Sequence, residues 1–293
     1  MSRSTYHLRS GDTAQTPYDV IVSPGKAGWR YSGLGVLSLD PGQSVTVHAG
    51  GAELLVMSLQ GSCTVTCADE ALTVTGRESV FSAASDFVYV PRDASIAIVS
   101  ERGGRFALPS SECERHLPFR HQPASDVPVE LRGAGPSSRQ VNNFCTPDAF
   151  KTDKLIACEV LTPGGNWSSY PPHKHDEESD RESKLEEIYY YEVAAGPAGP
   201  GMAYQRVYGH DRAEIDVLAE VRSGDVILIP HGWHGPSMAV PGYDLYYLNV
   251  MAGPATERAW RICDDPAHGW VRASWTDQAV DPRLPFGATR GTP

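Results

Sequence analysis

Short apolar runs separated by turn residues dominate the chain. SVTVH, ELLVMSLQG, SCTVTC, ALTVTG, FVYVP and SIAIVS fill positions 44–100; LIACEVLT, EEIYYYEV, MAYQRVYG, DVILIP and YDLYYLNVMAG follow between 155 and 253. Each has the length of a strand and is rich in the β-branched and aromatic residues that fit a pleated surface. Turn formers, 28 glycines and 23 prolines, are spread between them. Long amphipathic helical patterns are scarce. Many short strands at close spacing predict an all-β chain with little helix, a sandwich or barrel.

The pattern repeats weakly. ELLVMSLQG at 53–61 and GRESVFSAASDFVYVPRDASIAI at 76–98 are echoed by LEEIYYYEV at 185–193 and RSGDVILIPHGWHGPSM at 222–238. Each copy is a strand pair, a Gly-acid turn and a strand ending in proline. Two β-barrels in tandem are expected, one over 1–125 and one over 126–293. The Pro-, Arg- and Ser-rich stretch at roughly 110–140 reads as the linker, placed to add a strand to the other barrel. From about 254 the chain reads as a draped or disordered tail.

With 293 residues, 41% hydrophobic and 21% charged, the chain can bury a full core. A net charge of −11 argues against nucleic acid or an anionic membrane as partner, yet leaves room for a small anionic substrate held by a local cation. No run reaches the roughly 18 apolar residues of a membrane span. The opening MSRSTYHLRSGDTAQ has no apolar signal-peptide core, so a cytoplasmic protein is expected. The six cysteines lack a C-x-x-C pair and read as free thiols.

Candidate chemistry concentrates in HKHDEESDRESKLEEIYYY, residues 173–191. On a strand His173 and His175 leave the same face. A carboxylate opens the next strand, Glu186 or Glu187, and His234 follows in the turn PHGWHG. Three imidazoles and one carboxylate suit a divalent first-row metal with positions left open. The two glutamates point to opposite faces, so only one enters the barrel. If Glu186 does, Ile188 and Tyr190 go with it; if Glu187 does, Tyr189 and Tyr191 line the cavity. Periodicity alone does not choose. The first repeat offers His48 and Glu53 but no H-x-H, and is expected to be structural. His210, His231 and His268, in polar turns, read as surface or supporting residues, and Asp264–Asp265 as a solvated turn.

WSSYPPHKHDE, LEEIYYY, AYQRVYG, GDVILIPHGWH and GYDLYYLNVMAGP together resemble the 5-deoxy-glucuronate isomerases of inositol catabolism, which are cupins related to 5-keto-4-deoxyuronate isomerase. The likeness covers most of the chain and is strongest from about 139 to 275. It implies a bicupin whose first barrel is degenerate. It implies a metal, usually zinc, on His173, His175, Glu186 and His234 by a gapless match of the aromatic strand, although the general cupin motif favours Glu187. The acidic insert EESDRES lengthens the usual gap before that strand. The implied reaction converts 5-deoxy-D-glucuronate to 5-dehydro-2-deoxy-D-gluconate through an enediol. Glu187, Tyr190 or Tyr246 is then expected to move the proton, and Arg206 to hold the substrate carboxylate. A homo-oligomer is expected by analogy with barrels that pair through sheet edges. The alternatives are an iron-dependent cupin dioxygenase and a non-catalytic sugar-acid-binding cupin.

Overall fold

The structure, a computed structural model, describes residues 5–287. Its regular structure is almost wholly β-strand, with one four-residue α-helix, Pro24–Ala27, and short 3₁₀ turns such as Gly269–Asp277. A nine-stranded sheet takes every strand from Tyr18–Val22 to Arg120–Gln122. The second half folds into a seven-stranded and a six-stranded sheet that face each other. Among the described residues no helix is long and apolar enough to cross a membrane.

The seven-stranded sheet positions everything that follows. Glu186–Val193 lies at its centre between Val226–Ile229 and Leu245–Ala252. Side chains alternate along each strand, so this sheet has two different faces. One carries Tyr189, Tyr191, Val193, Leu245, Tyr247 and Met251 into the core of the second barrel. The other carries Ile188, Tyr190, Tyr246, Leu248 and Val250 against Leu34, Val36, Leu55, Met57 and Phe87 of the first half. The sheet is thus buried on both sides, which is why its strands read as continuous apolar runs rather than as alternation.

Polar struts cross the same junction. Arg77 and Glu159 form a fully buried ion pair at 2.8 Å. The Glu53 carboxylate accepts the backbone N–H groups of Asp153, Lys154 and Leu155 and the Tyr89 hydroxyl. Glu53 therefore joins the two halves of the chain.

Two elements differ from the sequence reading. The stretch at 110–140 is not a bare linker: Arg120–Gln122 pairs with Phe87–Val90 in the nine-stranded sheet, and Val129–Arg132 pairs with Arg139–Asn143 at the edge of the seven-stranded one. His7–Leu8, from the start of the chain, also crosses and joins the second half at Val226 and Ile227. The end of the chain is draped, with Phe286 packed against Phe81 of the first half; residues 288–293 lie outside the described part.

Candidate metal centre

The strand His173–Lys174 pairs with Trp233–Ala239, bringing His173 directly opposite His234. The turn before His234 needs a glycine. Gly232 sits at φ +90°, and a Cβ there would meet the Tyr208 carbonyl oxygen at 2.7 Å. Across the barrel, pairing with Ile229 and Met251 fixes the face of the aromatic strand and turns Glu187 inward. His175, Glu187 and His234 meet there, buried, with their ligand atoms within 4.8 Å of one another. The His173 ring completes the group, 4.4 Å from the His234 ring between centroids.

Each imidazole is oriented by a backbone carbonyl. The Nδ1 of His173 faces Pro171 O at 3.4 Å, that of His175 faces Leu185 O at 3.3 Å, and that of His234 faces Gly232 O at 3.1 Å. A proton on Nδ1 satisfies those carbonyls and leaves each Nε2 lone pair for the centre of the cluster, the arrangement metal-binding histidines adopt. Glu187 Oε2 lies 3.0 Å from His175 Nε2 and 3.1 Å from His234 Nε2. The second approach has no hydrogen-bond geometry, so His234 Nε2 is buried without a partner.

The electrostatics agree. Burial, then the charges of His234 and His175, push His173 well below the usual histidine range and keep it neutral. Burial raises Glu187, but His175 and His234 outweigh it and hold the carboxyl below its ordinary value. Burial lowers His175, and Glu187 more than restores it. One anion amid three imidazoles is a donor set for a divalent first-row ion, and the orphaned His234 nitrogen is the atom such an ion satisfies.

Lys174, between the two histidines, points the other way. It bonds Asp176, Glu177 and Glu182 at 2.8–3.1 Å. Glu182 also accepts the Asp176 and Glu177 N–H groups, so the acidic insert folds back onto this lysine and braces the H-x-H strand. A second group of possible ligands, Asp176, Glu177 and His210, is already served by Lys174 and Arg212.

Four expected site residues lie elsewhere. Glu186 is on the opposite face from Glu187, and its carboxylate accepts the N–H groups of Arg30, Tyr31 and Ser32 from the first half at 2.8–3.0 Å. Tyr190 also faces the first half, its hydroxyl between Glu192 and Arg105. Tyr246 packs in the same junction, with Arg77 over its ring. Arg206 points out of the barrel and engages Asp216 and the Val207 and Val217 carbonyls. On its strand the inward residues are Gln205 and Val207.

The tyrosines on the Glu187 side take their place. Tyr189 stacks on Tyr247 at 4.8 Å and lies 6.1 Å from the His234 ring. Hydroxyl partners are Ser169 for Tyr189, Gln205 for Tyr191 and Ser168 for Tyr247, each at 3.0 Å. Burial, then the Glu187 charge, raises Tyr189 well above the normal phenol range. The sequence signal for these residues was parity with Glu187. A cleft of about 380 Å³ is lined by Arg132, Trp260, Ile262, Asp264 and Arg272; Asp264 is directly opposite His173 in the sheet.

A family model described as KduI/IolB matches residues 6–271. Curated relatives named 5-deoxy-glucuronate isomerase include one from Geobacillus kaustophilus, 40% identical over 87% of this chain and 91% of its own. Another, from Bacillus subtilis strain 168, is 40% identical over 80% of this chain and 86% of its own. A crystal structure of an IolB-like protein from Salmonella typhimurium superposes with a TM-score of 0.83 at 33% identity, covering 91% of this chain and 98% of that one. Oxalate decarboxylase from Lactobacillus farciminis shares the fold alone, with a TM-score of 0.62 at 14% identity over 90% of this chain and 89% of that one.

Proposed function

The chain belongs to the KduI/IolB family, and from that premise we propose that it is an isomerase that converts 5-deoxy-D-glucuronate to 5-dehydro-2-deoxy-D-gluconate in inositol catabolism. The observation that carries the reading is the buried convergence of His175, Glu187 and His234, with the His173 ring packed 4.4 Å from that of His234. These residues would hold a divalent first-row ion, for which zinc is well suited. When bound, the ion supplies Lewis-acid polarisation of a carbonyl and its neighbouring hydroxyl.

The reaction moves one hydrogen from the hydroxyl-bearing carbon to the aldehyde carbon and one from the hydroxyl to the carbonyl oxygen. An enediol lies between aldehyde and ketone. Tyr189, kept protonated by burial and by Glu187, is the chain's own donor to the oxygen that gains negative charge. Tyr191 and Tyr247, tied to Gln205 and Ser168, wall the cavity and exclude water from the enediol. Two further features support a small-molecule enzyme of a reducing compartment: a negative overall charge and six unpaired cysteines.

The test is His173→Ala. Its metal content, read by plasma mass spectrometry, and its turnover of 5-deoxy-D-glucuronate are expected to fall together. Turnover that survives without metal would remove the Lewis-acid reading.

A further inference from the structure

The contacts of Arg206 leave the substrate carboxylate without a receptor, and the inner face of the second barrel offers another. Val141 opposes Val160, which opposes Tyr247. Arg139, two residues before Val141, therefore lies on the Tyr247 and Glu187 face, and Arg132 is its direct partner on the next strand. Arg139 is only 5% exposed. Its Nη1 donates to Ser137 O at 3.0 Å, and its guanidinium lies 5.4 Å from the Trp275 ring.

No carboxylate among the described residues pairs with it. The nearby acids are committed: Glu130 to Arg132, at 2.7 and 2.9 Å, and Asp264 to Arg272. Burial, and the charges of Arg132 and Arg272, hold Arg139 down at about 10, still a cation at neutral pH. Arg132 lies over Trp260, and Arg272 over Trp275. The indole N–H of each tryptophan is buried without an acceptor. A buried cation lacking a counter-ion is costly, and so is each unmet donor. One planar anion with several lone pairs answers all of these groups.

We propose that Arg139, flanked by Arg132 and Arg272 and floored by Trp260 and Trp275, is the receptor for the carboxylate of the sugar-acid substrate. The proposal rests on the uronate reading of the metal centre. Arg272 pairs with Asp264, which lies opposite His173 in the sheet, so this group of cations is tied to the strand that carries the histidines.

The test uses the full chain loaded with metal. D-glucuronate and D-glucose are titrated against tryptophan fluorescence, alongside steady-state kinetics with 5-deoxy-D-glucuronate. The wild type is expected to bind glucuronate well ahead of glucose. Arg139→Met is expected to lose that preference and to raise KM on the order of 10–100-fold with kcat changed only a few-fold. Its melting temperature without ligand should stay level or rise, because an uncompensated buried cation is gone. Arg139→Lys, keeping the charge without the fork, should fall between. Arg132→Gln, on the rim, should raise KM less than Arg139→Met and serves if the latter fails to fold. An unchanged glucuronate preference in Arg139→Met, or in Arg132→Gln if only that variant folds, overturns the proposal. If the wild type binds glucuronate through Arg139 yet does not turn over 5-deoxy-D-glucuronate, the receptor stands and the assigned reaction falls.

Discussion

Two adjacent glutamates allow the site assignment to be tested by exchange. Glu186→Ala removes a carboxylate that accepts three backbone N–H groups, from Arg30, Tyr31 and Ser32, at 2.8–3.0 Å. Charge-assisted hydrogen bonds of this kind contribute up to about 3 kcal/mol each when buried. Here water can reach the freed groups, since Glu186 is half-buried and Arg30 is exposed, so about 1 kcal/mol each is the better figure. The expected loss is then about 2–3 kcal/mol, or roughly 5 °C in melting temperature for a chain of this size. Metal content should be untouched. Glu187→Gln should do the reverse: it leaves the junction between the halves intact and removes the one anion of the ligand set. Both variants are dialysed against a weak chelator, metal per chain is read by mass spectrometry, and melting is followed with the metal removed. Full metal in Glu187→Gln, or its loss in Glu186→Ala, refutes the face assignment of the strand.

Other outcomes follow from the same structure. Arg77→Ala strands the buried Glu159 carboxylate and should cost about 3–5 kcal/mol in urea unfolding, while Arg77→Met with Glu159→Leu should recover much of it; equal stability of the two variants would contradict this. Burial raises the Cys63, Cys113 and Cys145 thiols to about 12 and Cys158 further. At pH 8 these four should resist iodoacetamide in the native protein and react in guanidinium; rapid native labelling of any of them would show the burial to be wrong. Burial favours a neutral Asp153, but the N–H groups of Arg115 and Glu114 and the Arg115 side chain outweigh it and hold Asp153 below its ordinary value. Its contribution is therefore present above about pH 4 and lost as pH falls below that. Asp153→Asn should flatten the acid side of the stability curve; an unchanged curve argues against this link.

The strands were legible because most are compact apolar runs bounded by glycine and proline. Which way a strand faces was not. In Glu186–Tyr191 both faces are buried and both carry tyrosines, so alternation disappears, and only pairing with Ile229 and Met251 sends Glu187 inward. The ligand histidines were legible because H-x-H on a strand needs no partner to share a face. Arg139 and Arg132 were hidden in VELRGAGPSSRQ, which reads as a linker and yet supplies two strands of the second barrel. Arg206 was misplaced because Gln205 beside it is polar but buried, which masks the alternation of that strand. His7–Leu8, two residues long, has no period to read.

The most direct test is conversion of 5-deoxy-D-glucuronate in deuterated water, followed by NMR with the metal-loaded wild type and Glu187→Gln. The wild type should form 5-dehydro-2-deoxy-D-gluconate carrying deuterium on its hydroxymethyl carbon, and the variant should leave the aldehyde unchanged. Absence of ketone product with the wild type, or full conversion by the variant, would contradict an isomerase built on the Glu187 cluster.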